Sequence, residues 1–481
     1  MTMSGESGST RDAMPRSGPV FWLEEALEAE DARACPPLAG TRRVDVCVVG
    51  GGYTGLWTAL ELRDLAPDIE IAVIEAESCG FGASGRNGGW ASSWYDELDG
   101  LAAKFGDEAA VWLADESSAA IGRIGEVAAA EGIDCHFRPE GTLWVAGSPE
   151  QLAVIRSAAD GCRRLGRADR IPELTGEEIA ERTGARAPAL GGLLIRDSAS
   201  VQPALLARGL RRLALRRGIQ IFEGTRMLGL ERTRPAAVIT TAGRVEADEV
   251  VIATNAWAAQ LRELRRAIVV VGTQIVLTEP IPDRVAEAWR AGALLGDARL
   301  FVHYAQVTRE GRIAFGRGGG AIGALGRVVP RHFADDRIAA SVAEDFRAWF
   351  PQLADVRLTH AWGGPVDRAP GHMPFVGSLG EGNVHYGVGY SGNGVGPSAL
   401  IGRILARRAL HVRDAYTECA LTGGPPGYLP PEPLRFVGAT LVRTVVRRAE
   451  EREEAGGRIG PAGRLAKRLV TFSLPPLRRR G

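Results

Sequence analysis

The sequence predicts an α/β fold, α+β overall, in which a parallel βαβ domain is broken up along the chain and an antiparallel sheet is inserted between its parts. Three observations lead there. Residues Val44–Glu75 form a complete strand, glycine turn, helix and second strand. Runs of mixed type follow, and α/β alternation returns only after Gln202. A last strand–glycine–helix unit, Asn383–Val388 and Val395–Ala409, comes late. A doubly wound domain in one piece completes its sheet before the chain leaves it; here the chain leaves after two strands.

The apolar run Val44–Val49 reads as a buried strand. It ends at Gly50-Gly51-Gly52-Tyr53-Thr54-Gly55, followed by a helix pattern over Leu56–Leu65 and a second strand over Ile69–Ile74 that closes on Glu75. Gly50 makes the tight turn, Gly52 lets the backbone approach a pyrophosphate, and Gly55 lets helix and strand pack closely. The helix N-terminus turns free N–H groups and the positive end of its dipole toward phosphates. Glu75, 20 residues past Gly55, stands where a carboxylate accepts both hydroxyls of an adenosine ribose. The glycine spacing alone discriminates poorly, since it recurs at Gly80–Gly85, Gly318–Gly323 and Gly387–Gly392. Only the first copy lies between two strands with an acid at the right distance, so this unit is Rossmann-like.

The remaining elements follow in order. Residues 1–20 are polar and expected to be disordered, and Phe21–Asp31 reads as a lead-in helix. Gly80–Gly89 is too glycine-rich for regular structure. Asp107–Glu131 is a long Ala-rich amphipathic helix, Thr142–Ala146 a strand and Glu150–Leu165 a helix. Pro203–Arg217 is a helix with Pro in its first turn and Gly218 at its stop. Ile219–Glu223, Met227–Glu231, Ala237–Thr241, Arg244–Glu246 and Glu249–Ala253 are strands, the last running into Thr254-Asn255. Gln274–Thr278 and Arg312–Gly316 belong to an antiparallel layer, and Ile338–Trp349 is a helix. The nucleotide domain is thereby assigned to 40–100, 195–270 and 355–410, a substrate domain to 101–194 and 271–354, and a basic extension to 411–481.

Composition narrows the chemistry. Lys+Arg 58 balances Asp+Glu 58, so no global basic field points to nucleic acid. The only lysines are Lys104 and Lys467, which argues against a Schiff-base or P-loop lysine. The six cysteines are scattered without a CxxC, so neither metal site nor disulfide framework is expected and a reducing, cytoplasmic compartment is the natural reading. The N-terminus has no apolar signal core, and the run after Arg42-Arg43 is broken by Asp45 and the glycine turn. No run of uncharged apolar residues is long enough to span a membrane.

Six segments together carry a family resemblance: Asp45–Gly55 with Glu75, Gly82-Ala83-Ser84-Gly85-Arg86-Asn87-Gly88-Gly89, Val201-Gln202-Pro203, Ala253-Thr254-Asn255-Ala256, Trp362-Gly363-Gly364, and Gly389-Tyr390-Ser391-Gly392-Asn393-Gly394-Val395. In this order they resemble the D-amino-acid oxidase superfamily of FAD-dependent oxidoreductases, and look closest to its γ-glutamylputrescine oxidoreductase branch. The resemblance implies that Gly50, Gly52, Tyr53, Thr54 and Gly55 hold the FAD pyrophosphate and Glu75 the ribose. It places Ala83 and Ser84–Gly89 beneath the flavin and ribityl chain, Met227 at the adenine, Thr254 near the cofactor, and Gly392–Val395 at the N1–C2 edge. A helix N-terminus there stabilises the charge that develops on reduction. Arg86 is either a flavin-side or phosphate residue or half of a surface ion pair. Asn87 is either a cofactor contact or a turn residue at positive φ. Trp362 is either a core aromatic or an active-site wall. His372 and His385 read first as ordinary polar residues.

The chemistry the resemblance implies is oxidation of a carbon–nitrogen bond of an amine or amino acid. Hydride passes from the carbon beside the amine to flavin N5, and the imine hydrolyses. Candidates for shaping the substrate pocket are His303, Tyr304, Arg317 and Tyr390, with Arg368 either a further pocket residue or part of a surface salt bridge; an arginine can clamp a carboxylate in bidentate fashion. Monomeric sarcosine oxidases carry a flavin-facing lysine on the strand aligned with Ile313–Gly316, and this chain has none there. They also tether flavin through a late cysteine, and none lies between Cys162 and Cys419. Non-covalent FAD is therefore expected, with oxygen or another acceptor left open. Competing readings are a nicotinamide-dependent dehydrogenase and a non-catalytic flavoprotein subunit. In the extension, Leu434, Val437, Leu441 and Val445 recur at helical spacing among Arg435, Arg443, Arg447 and Arg448, ahead of Leu477-Arg478-Arg479-Arg480. That is either a helix packed on the domain or a contact for an acidic partner or a membrane face.

Overall fold

The strand Gly40–Val49 lies in the middle of an eight-stranded sheet, and its C-terminal half, Val46–Val49, is buried on both faces. Val46 and Val48 enter one core, Cys47 and Val49 another, which is why its sequence reads as an unbroken apolar run. The computed structural model describes residues 16–30, 34–183, 189–289, 294–454 and 456–470. Most of the expected disorder at 1–20, and the run Leu477–Arg480, fall outside them. Ser17 and Gly18 are held: their backbone N–H groups donate to Asp336 at 2.7 Å and to the Ala361 carbonyl at 2.9 Å.

Across the first sheet the strands run Phe375–Leu379, Val384–Val388, Gly243–Ile252, Gly40–Val49, Ile71–Ile74 and Gln220–Phe222, all parallel but the first. The ribbon Met227–Glu231 and Ala236–Thr240 joins through Gly243–Ile252. Helices Tyr53–Leu65, Pro203–Arg216 and Val395–Ala409 send Leu56, Leu210 and Ile401 into one core. The two runs expected at Arg244–Glu246 and Glu249–Ala253 are one strand, Gly243–Ile252, paired from Gly40↔Gly243 to Val49↔Ile252. Its charged residues interrupt the apolar pattern, while partners on both sides keep it extended.

The second sheet has eight strands in the order Leu358–Arg368, Val269–Thr278, Ile313–Arg317, His303–Val307, Leu294–Asp297, Thr142–Ala146, Gly191–Ile195 and Glu173–Thr175. Pairing is antiparallel except between Leu294–Asp297 and Thr142–Ala146. The segment 355–410 contributes to both sheets, because Leu358–Arg368 pairs along Val269–Thr278 before the chain returns to the first sheet at Phe375. Gly363, Gly364 and Pro365 mask that strand in the sequence; at the sheet edge a proline costs no ladder bond. Helix Asp336–Trp349 covers one face, and the lead-in helix Phe21–Glu28 inserts Trp22 against Ile275, Leu277 and Trp362.

The extension forms helices Leu434–Glu454 and Pro461–Val470. The first lies along the second domain: Arg443 donates to the Gly320 carbonyl at 2.6 Å, Arg447 to Ser341 at 2.7 Å, and Glu450 accepts from Leu300 N–H at 2.9 Å. Among the described residues no helix is long and apolar enough to cross a membrane.

Candidate functional site

The glycine turn makes the close backbone contacts its spacing implies at Gly50 and Gly55. Gly50 has φ +114°, and a Cβ there would meet the Ala253 carbonyl oxygen at 2.5 Å. A Cβ on Gly55 would lie 1.9 Å from the Gly50 oxygen, so helix and strand pack backbone to backbone. At Gly52 the obstacle is the Ser84 hydroxyl, which accepts from Tyr53 N–H at 2.9 Å. Helices Tyr53–Leu65 and Val395–Ala409 start at glycine N-caps, Gly52 and Gly394, which have no side chain to cap the remaining free N–H groups. Both N-termini open on one cavity of about 610 Å³ lined from both sheets. Two uncapped dipole ends facing one space make it suited to anionic groups.

Glu75 lines this cavity. Its carboxylate accepts from Gly51 N–H at 2.7 Å and from Glu77 N–H at 2.9 Å. Burial raises its pKa, partly offset by those two bonds. Each carboxylate oxygen keeps a lone pair for a further donor. Ala83, Ser84, Asn87, Gly88, Met227 and Thr254 also line the cavity, as do Gly392, Asn393, Gly394 and Val395. The Oδ1 of Asn255 is buried there without a partner among the described residues, and its Nδ2 donates to Asp367 at 2.9 Å.

Some residues of the glycine block support the wall from behind. Gly85 and Gly89 allow tight backbone contacts to Gly80 and Val201. Asn87 is not at positive φ. It caps its own loop instead, donating to the Ala83 carbonyl at 3.0 Å and accepting from Gly89 N–H at 2.7 Å. Arg86 is neither on the cavity wall nor paired to a surface acid. Its guanidinium donates to the carbonyls of Phe81 and Gly363, at 2.9 and 3.1 Å, between the Phe81 and Phe333 rings. Burial lowers its pKa to about 10. It is a strut tying the loop to the second sheet. Trp362 is buried core, its indole N–H donating to the Arg86 carbonyl at 2.9 Å.

The four pocket candidates divide. Tyr304 and Tyr390 face the cavity. The Tyr304 ring packs over Gly88 and Gly316, where no Cβ would fit, and Tyr390 shares a 2.6 Å hydrogen bond with Thr54. His303 and Arg317 do not line the cavity. They sit in a buried cluster in which His303 Nδ1 is 2.9 Å from Asp297, its Nε2 is 3.2 Å from Asp345, and Arg317 pairs with the same Asp345. Alternation along strand His303–Val307 sends neighbours to opposite faces, so only Tyr304 of that pair reaches the pocket.

Arg368 does reach it. Its guanidinium donates to His372 Nε2 at 2.5 Å and has no carboxylate partner among the described residues. Burial lowers the His372 pKa to about 3, with the nearby Arg368 adding to it, so His372 is a neutral acceptor. His385 lies elsewhere, paired with Glu249 at 3.0 Å. The sequence reading did not single out Trp90, Trp94, Trp144, Asp96 and Glu97, which all line the cavity. Burial, then the neighbouring Glu97, pushes Asp96 up to about 8. The one local signal is two adjacent acids directly after the aromatic stretch Trp90–Tyr95.

A cavity of this volume with two helix N-termini, a carboxylate that keeps free lone pairs and a glycine turn without side chains fits a flavin dinucleotide. The chain belongs to the family described as FAD dependent oxidoreductase, whose model matches residues 45–408. It is an FAD-dependent oxidoreductase. It is 32% identical over 366 residues to gamma-glutamylputrescine oxidoreductase of Escherichia coli K12, covering 75% of this chain and 82% of that protein. A probable oxidoreductase OrdL of Rhizobium meliloti is 31% identical over 403 residues, 82% and 89% of the two chains. The glycine oxidase structure from Geobacillus kaustophilus superposes with TM-score 0.64 at 22% identity, covering 78% of this chain and 96% of that one; it shares the fold.

Proposed function

We propose that this enzyme oxidises the carbon–nitrogen bond of an amine that carries a carboxylate or derives from a polyamine, using FAD held without a covalent link. The observation that carries the reading is Arg368, a buried guanidinium facing the same cavity as the two helix N-termini and lacking a carboxylate of its own. Such a group binds a substrate carboxylate and fixes its orientation. Neutral His372 holds the guanidinium by accepting one of its N–H groups. Asp96 and Glu97 give the cavity a second, acidic wall that favours an ammonium, and a pair sharing a proton also suits an amine that must lose one before oxidation. Bound FAD supplies the acceptor for the two electrons released as the amine becomes an imine. Tyr304 and the three indoles exclude water from the space. The name of the Escherichia coli relative points in the same direction. None of the six cysteines, all of them free, lines the cavity, which supports non-covalent binding.

Anaerobic titration against amines, amino acids and γ-glutamyl amines, with hydroxy acids as controls, tests the reading. Bleaching of the flavin by carboxylate-bearing amines is expected, with Arg368→Met raising the concentration needed about tenfold or more. Bleaching by hydroxy acids alone would overturn it. Acid precipitation is expected to release all the yellow colour into the supernatant; colour kept in the pellet rules out the non-covalent part.

A further inference from the structure

We infer that the C-terminal extension seats the protein on an anionic lipid surface through helix Pro461–Val470. A helix on the outside of a globular protein turns its large apolar residues inward and its charges out. Here the apolar half of that rule is reversed. Gly463 and Ala466 are the buried positions, and a Cβ on Gly463 would meet Ala449 of helix Leu434–Glu454 at 2.8 Å. Small residues face the protein, and Leu465 and Leu469, 59% and 43% exposed, face away. Four residues apart, they stand one above the other on the same side, beside the exposed Arg464 and Arg468. Lys467 pairs with Glu453 at 3.1 Å, and Arg464 donates to the Ile459 carbonyl at 2.6 Å.

The preceding helix repeats the arrangement. Its inner face is anchored by Arg435, Val446 and Glu450, while Leu434, Val437 and Leu441 stay more than half exposed. No acid occurs between Glu432 and Glu450. From 455 to the end the chain carries seven basic residues and no acidic one, against a net charge of +0 for the whole molecule. On the helix itself Arg464, Lys467 and Arg468 alternate with the exposed Leu465 and Leu469. Aliphatic side chains flanked by arginine suit the headgroup–acyl boundary of a bilayer, where the apolar stripe is buried and the guanidinium groups meet lipid phosphates. Buried aromatic anchors, the usual mark of a protein–protein contact, are absent from the exposed stripe of this helix.

The full-length holoprotein is mixed with phosphatidylglycerol–phosphatidylcholine vesicles or with pure phosphatidylcholine vesicles, and both are floated on a density gradient at low and high salt. Expected is flotation with the anionic vesicles only, weakened by salt. The double variant Leu465→Glu/Leu469→Glu is expected to cut the bound fraction about tenfold or more, and Arg464→Gln/Arg468→Gln to cut it less while abolishing the salt dependence. All four positions are exposed, so flavin content and thermal midpoint verify that each variant is folded. The inference fails if the wild type ignores anionic vesicles at low salt or if the leucine variant floats like the wild type. It fails also if the leucine stripe instead drives self-association, read as a concentration-dependent mass in light scattering that the same variant abolishes.

Discussion

At the scale of single residues, a glycine is informative when a side chain there would strike something that cannot move. Gly55 meets backbone, the Gly50 oxygen at 1.9 Å, whereas Gly52 meets a rotatable hydroxyl. Gly55→Ala is therefore expected to lower stability by at least about 2–3 kcal/mol, in the range of overpacked cores, and to yield protein depleted in flavin. Gly52→Ala should fold nearly normally and lose flavin affinity instead, because its new methyl group points where the pyrophosphate is expected. Denaturant midpoints and flavin-to-protein absorbance ratios separate the two. The close contacts at Gly50 and Gly55 were legible in the sequence because a glycine turn is local. Arg86 was not, since its fate depends on a carbonyl 277 residues away. Asn87 also differed: its side chain closes the loop from within, and on the cavity wall positive φ occurs instead at Asn255, His372 and Ser391, whose conformations answer to contacts no local motif records.

At the scale of elements, reading worked where periodicity and stop signals mark a strand or helix locally and failed where they do not. The first βαβ unit, helix Pro203–Arg216 and the late helix Val395–Ala409 were all visible from periodicity and stop signals. Strands Leu294–Asp297, His303–Val307 and Leu358–Arg368 were missed, because glycine, proline and polar residues disguise them; Leu294–Asp297 and Leu358–Arg368 also take partners far along the chain. The edge strand Leu358–Arg368 illustrates how such an element is held. Trp362 is fully buried, packs edge-on to Trp22 with ring centroids 5.8 Å apart, and donates to the Arg86 carbonyl. Trp362→Ala is expected to cost about 3–5 kcal/mol, as for other large aromatic truncations. Trp362→Phe should cost less, leaving the Arg86 carbonyl without its donor. Urea unfolding of the two variants gives the comparison.

At the scale of the whole molecule, the second domain is pinned by charge as well as by its core. His303 joins Asp297 on one strand and Asp345 on helix Asp336–Trp349. Burial pulls its pKa down, but the two carboxylates outweigh this, and the net shift is upward. A group with a raised folded-state pKa stabilises most below its unfolded value near 6.5, and that contribution is lost as pH rises through the folded value. Wild-type stability should accordingly decline across that alkaline window. His303→Gln, uncharged throughout, should be less stable below it and show a flatter profile. Parallel slopes for both proteins would remove His303 from this role.

The placement of Gly40–Val49 between Ile71–Ile74 and Gly243–Ile252 has a consequence for synthesis. Its first neighbour leaves the ribosome soon after it does, but its second is made about two hundred residues later. At roughly 5–20 residues per second, one edge of the central strand waits on the order of 10–40 seconds for its partner. During that interval an apolar strand carries an open row of backbone donors and acceptors, the kind of template that recruits wrong partners. The glycine turn it ends in cannot yet close, because Ala253, whose carbonyl packs against Gly50, has not been made. Cofactor capture is thus a late event in the life of the nascent chain, and chaperone shielding of the first fifty or so ordered residues is the natural requirement of this chain order.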